Sequence, residues 1–132
     1  MTTDDYGLAK LLPTLSFGDA QTRVQDALAD EGFGVLTRID MAATLHAKLG
    51  VETSPYVILG ACNPALAAQA LEADAHIGLL LPCNVVVRET PAGVEVVLVN
   101  AKAMFSLVDD PAMQPIVDEV DGRLQRVLKA LD

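Results

Sequence analysis

At 132 residues and 13.9 kDa the chain has the length of one domain, residues 1–132. With 52% hydrophobic and 20% charged residues it can fill a core, which excludes disorder from poor burial, and no apolar run nears the ~20 residues of a membrane span. Nine basic side chains against 18 acidic ones leave a net charge of −9, a balance that repels phosphate backbones and argues against nucleic acid as a ligand.

The opening Met-Thr-Thr-Asp-Asp has neither a basic stretch nor an apolar run, so no signal peptide is visible and a cytoplasmic setting is expected. Tyr6 to Leu12 reads as a first strand, ended by Pro13. Ser16 offers an N-cap, with Asp19 three residues on. Phe17, Ala20, Val24, Ala27 and Leu28 then recur at helical spacing, and Gly32 can take the left-handed position after the helix. Phe33 to Ile39 alternates as a strand does. Asp40 caps a second helix whose stripe is Met41, Leu45 and Leu49, closed by Gly50.

Tyr56 to Cys62 is apolar at every position, which predicts an interior strand covered above and below. Asn63 followed by Pro64 is a helix start: a capping side chain, then a proline where no N–H is needed. The helix runs from Pro64 to about Asp74. Ile77 to Leu81 is an apolar connector. Cys83 to Glu89 and Val94 to Asn100 form a hairpin across Thr90-Pro91-Ala92-Gly93. Met104 to Val108 reads as a turn of helix. A last helix carries Ile116, Val120, Leu124, Val127 and Leu131 on one stripe, with Pro115 in its first turns. The order is β-α-β-α-β-α-β-β-α. The alternation favours parallel units and the hairpin demands an antiparallel pair, so the expectation is an α+β fold with a mixed sheet and helices mainly on one side.

Two segments share a pattern, Leu59-Gly60-Ala61-Cys62-Asn63-Pro64 and Leu81-Pro82-Cys83-Asn84-Val85. Each sets a Cys-Asn pair where a strand meets a turn. Cys62 immediately precedes a helix start, where free N–H groups stabilise an anion and favour the reactive thiolate. Cys83 joins it if the two strand ends are neighbours, and Asn63 and Asn84 can then donate amide hydrogens. The plainer reading is that both thiols are small apolar filler, the commonest fate of cysteine. Twenty residues between them is neither a CxxC motif nor a zinc spacing. Lys48 and Tyr56 are candidates for the rim of a ligand site. His46 and His76 stand alone, outside any metal-ligand spacing. Arg38 and Arg88 are expected to pair with helix carboxylates. No phosphate-cradling loop is present.

Gly32-Phe33-Gly34-Val35-Leu36-Thr37, Lys48-Leu49-Gly50, Tyr56 through Pro64 and Leu79 through Val87 together resemble the family catalogued as domain of unknown function 302, over about Gly18 to Leu131. The resemblance implies a curved sheet packed against helices and a homodimer, and it implies no established activity. It departs at Arg38, where the family often has glutamate, and at Asn100-Ala101, where it often has Asp-Pro. Cys62, Asn63, Pro64, Pro82, Cys83 and Asn84 match.

Three functions follow as expectations. The first is a site for a small ligand, or for a soft metal or sulfur species, at the paired Cys-Asn segments. The second is thiol redox or sulfur transfer with Cys62 as nucleophile and Cys83 as its partner. The third is a structural homodimer that hides the apolar surface implied by a mean hydropathy of +0.36. The sequence names no cofactor and assigns no reaction.

Overall fold

The computed structural model describes residues 3–131. A short helix, α1 (Thr3–Tyr6), leads into β1 (Gly7–Leu12), so the first strand begins one residue later than its sequence suggests. Helix α2 (Phe17–Asp30) follows. Its Ser16 cap accepts the Asp19 N–H at 3.1 Å, and Ala20, Val24, Ala27 and Leu28 are its buried stripe. Next come β2 (Gly34–Asp40), α3 (Met41–Leu49), β3 (Tyr56–Cys62), α4 (Pro64–Ala73), β4 (Cys83–Thr90), β5 (Gly93–Val99), α5 (Ala101–Phe105) and α6 (Gln114–Ala130). Single 3₁₀ turns at Ile77–Leu80 and Pro111–Met113 fill the connections before β4 and α6. Pro115 falls in the first turn of α6, where the missing N–H costs no hydrogen bond.

The five strands form a curved, open sheet in the order β1-β5-β4-β3-β2. The α+β class is as expected, but every neighbouring pair is antiparallel, so the sheet is not mixed. The reason lies in the short helices. Asp40 at the end of β2 pairs with Val57 at the start of β3, and Ala61 at the end of β3 pairs with Cys83 at the start of β4. Both α3 and α4 therefore leave and return at the same end of their strand pair. They are helical detours in a meander, not crossovers.

Strand alternation sorts the sheet into two unlike faces. Val57, Leu59, Ala61, Cys83, Val85, Val87, Val94, Val96 and Leu98 are buried on the face packed against α2 and α6. The α6 stripe of Ile116, Val120, Leu124 and Val127 closes this core, with Leu131 just beyond it. Each fully buried leucine or valine contributes roughly 1.5–3 kcal/mol over its exposed state. Two arginines tie the layer together: Arg123 Nη1 donates to the Glu31 carbonyl oxygen at 2.8 Å, and Arg126 Nε meets the Glu31 carboxylate at 2.8 Å. They satisfy and charge-match the C-terminal end of α2.

The other face is open. Ile58 and Tyr56 are half-buried and α3 stands over them, although no α3 residue is buried and Leu49 is 70% exposed. β3 is thus interior within the sheet but covered fully on one side only, short of the two-sided cover its composition suggests. Neither strand arginine reaches a helix carboxylate. Arg38 Nε donates to the amide oxygen of Gln21 at 3.0 Å, and Arg88 pairs with Glu95 on the adjacent strand at 2.7 Å.

Candidate functional site

The β3–α4–β4 detour brings the two Cys-Asn segments to one end of the sheet. Register puts Ala61 opposite Cys83, so Cys62 is the next residue along from the partner of Cys83. Cys62 ends β3 half-buried; Cys83 begins β4 and is 4% exposed. Both thiols are free. They line one chamber of about 30 Å³, walled by Phe33, Leu66, Ala70 and Leu81 and closed from below by Phe105 and Ile116. Such a space admits a single water-sized species and no organic ligand.

Local chemistry explains the placement. Asn63 Oδ1 accepts the Leu66 N–H at 3.1 Å, capping α4, and Pro64 takes the first helical position. Gly32, at φ +83°, lies against the same amide: a Cβ there would come within 2.9 Å of Asn63 Nδ2 and 3.3 Å of Arg123 Nη1. Glycine at this turn thus keeps both the left-handed backbone and the room for Asn63. On the other flank the Leu81–Pro82 peptide is cis, and Pro82 crosses the open face above Gly60, where a Cβ would come within 2.8 Å of its ring.

Burial pushes the Cys83 thiol up from its ordinary 9.0 to about 11, with the nearby Cys62 adding to the rise. At neutral pH Cys83 is therefore a neutral thiol. The cause is the apolar wall around it, which solvates an anion poorly.

The remaining sequence candidates lie elsewhere. Asn84 pairs with Gly60, and its exposed side chain alternates to the open face, away from Cys83. Lys48 is exposed on α3, beside a shallow groove that includes Arg38 and Asp40. Tyr56 lines a different cleft, about 450 Å³, between α3 and the open face of β3 and β4. The paired asparagines thus do not converge: Asn63 belongs with the thiols and Asn84 does not. His46 and His76 are exposed, each about 4 Å from one carboxylate, Glu52 and Asp74 respectively. Among the described residues, no group of three or more His, Cys, Asp and Glu side chains is placed to hold a metal ion.

The α3 cleft escaped the sequence reading. Its signal was the alternation that sets Tyr56 and Ile58 on one face of β3, with Arg88 opposite Tyr56 on β4. That pattern is visible only once the strands are paired.

Comparison with known proteins places these features in a family. The family model described as domain of unknown function DUF302 matches residues 9–131. The fold is similar to the crystal structure of an uncharacterised conserved DUF302 protein from Bacillus stearothermophilus. That similarity has a TM-score of 0.87 and 28% sequence identity, covering 96% of this chain and 98% of the other. No curated protein matches.

Proposed function

The chain belongs to the DUF302 family, and we propose that it binds one soft, atom-sized species, a monovalent copper-class cation, between Cys62 and Cys83. The observation that carries this reading is the chamber that both cysteines line, about 30 Å³ with an apolar wall. Thiolate sulfur prefers soft ions, and a two-sulfur site suits a low-coordinate ion, whereas zinc asks for four ligands. Burial holds Cys83 neutral, so it is a poor attacking thiol, and the attacking role in any thiol exchange falls to Cys62 alone. A ligating thiol must release its proton to solvent, so uptake of the cation strengthens as pH rises toward the Cys83 value of about 11. A reducing, cytoplasmic setting suits two free thiols.

The test is titration with cuprous ion under anaerobic conditions against a coloured competing chelator. One equivalent bound by the native protein, and none by Cys62→Ser or Cys83→Ser, supports the site. Equal uptake by the variants refutes it.

A homodimer is proposed alongside it. Leu11, at 44% exposed, and the half-buried Val97 and Val99 lie together on the open face of β1 and β5, where a second copy would cover them. No helix among the described residues is long and apolar enough to cross a membrane. Sedimentation at micromolar concentration decides: a dimer is expected, and a monomer rules it out.

A further inference from the structure

On the opposite side of the sheet from the thiols, the cleft under α3 has the dimensions of a small-molecule site. Its volume is about 450 Å³, within the roughly 300–1,000 Å³ typical of ligand pockets. Register fixes which side chains face it. Tyr56 and Ile58 on β3 and Arg88 and Thr90 on β4 fall on the same face; Glu89 also lines the cleft, at its edge, with a side chain that strand alternation turns to the other face. Met41 and Leu45 of α3 form the apolar roof over Ile58.

The polar groups at this cleft are rich in donors. Arg88 hydrogen-bonds Glu95 through Nε at 2.7 Å and has no other protein partner among the described residues. A guanidinium carries five N–H donors, more than one carboxylate can occupy. The hydroxyls of Thr53, Ser54 and Tyr56 likewise have no hydrogen-bond partner among the described residues. Tyr56 stands directly across from Arg88 in the β3–β4 register, so the cation sits between an aromatic residue and an acid on the two neighbouring strands.

We propose that the α3 cleft binds a small organic carboxylate with an apolar body, its carboxylate on Arg88 and its body between Ile58, Met41 and Leu45. Arg88 is the cation of the cleft, and an arginine fork matches a carboxylate in geometry as well as in charge. Glu95 is the competing anion. It holds the guanidinium in place and weakens the hold on an incoming carboxylate, so the two residues have opposite effects on one ligand.

That opposition supplies the test. Phenylbutyrate, phenylbutyramide and phenylbutylamine are titrated into the native protein, with backbone amide shifts followed by NMR. The carboxylate is expected to bind at least tenfold tighter than the amide or the amine, with the shifts centred on Met41, Ile58 and Arg88. Arg88→Gln brings the carboxylate down to the level of the amide, and Glu95→Gln raises its affinity severalfold. Both side chains reach solvent, and a circular dichroism melt confirms that each variant is folded. Equal affinity for the three probes, preference for the amine, or shifts centred elsewhere would overturn the proposal. So would no shift on the order of 10 mM, where binding free energy has become negligible for a ligand of this size. The thiol chamber takes no part in this experiment, so either site can fail without the other.

Discussion

Replacing Cys83 by alanine removes one ionisable group from the core, and the structure fixes how that should change stability with pH. The folded thiol has a pKa of about 11 against an ordinary value of 9.0. The raised value means that the neutral form is favoured in the native state, so the contribution is fully present below pH 9. It is lost as pH rises through the folded value, because the unfolded chain ionises first. Two units correspond to a limit of about 2.7 kcal/mol, of which roughly 2 kcal/mol is already lost by pH 10.5. The quantity to follow is the difference between native protein and Cys83→Ala, in which every contribution common to both cancels. Urea unfolding midpoints at several pH values from 8 to 10.5 supply it. The native protein should lose about 2 kcal/mol more than the variant across that span. A difference that stays flat with pH would refute the claim that Cys83 is held neutral by burial.

Other expectations follow from the same geometry. Asn63→Ala deletes the α4 cap and should cost about 1 kcal/mol in chemical denaturation, with Asn63→Asp retaining most of it. Gly32→Ala forces a side chain into a φ of +83° and against the Asn63 amide, so it should destabilise by roughly 1–3 kcal/mol, more than an Ala placed elsewhere in a loop. Leu124→Ala opens a cavity at a fully buried point of α6 and should cost ~2–5 kcal/mol in the same assay. In alkylation at pH 7.5 followed by mass spectrometry, half-buried Cys62 should be modified in the native state and Cys83 only on unfolding. Equal rates would contradict the difference in burial.

The helical stripes were open to reading from sequence because each satisfies the 3.6-residue period against a core. Ala20, Val24 and Leu28 on α2, and Ile116, Val120 and Leu124 on α6, are buried as their spacing implies. The Met41-Leu45-Leu49 stripe obeys the same period yet leaves Met41 and Leu45 only half-buried and Leu49 exposed, since periodicity reports a face and not what lies opposite it. Strand direction was hidden for a related reason. A helix between two strands looks alike whether it crosses the sheet or leaves and returns at one end, and α3 and α4 do the latter.

The same detour made half of the candidate site legible. Cys62 and Cys83 flank α4 and return to adjacent register, and Asn63 caps as its neighbour Pro64 suggested. The matching wording of the two segments misled for Asn84. It follows Cys83 inside a strand, where alternation turns successive side chains to opposite faces, whereas Asn63 follows Cys62 at a strand's end. Lys48 and Tyr56 lie near β3 in sequence and on or under α3 in space, beyond reach of the chamber the thiols share.

X-ray absorption at the copper edge of the one-to-one cuprous complex tests the central claim most directly. Two sulfur neighbours are predicted for the native protein, falling to one in Cys62→Ser and in Cys83→Ser. A shell of nitrogen and oxygen, or a spectrum indifferent to both substitutions, would contradict a metal held between the two thiols.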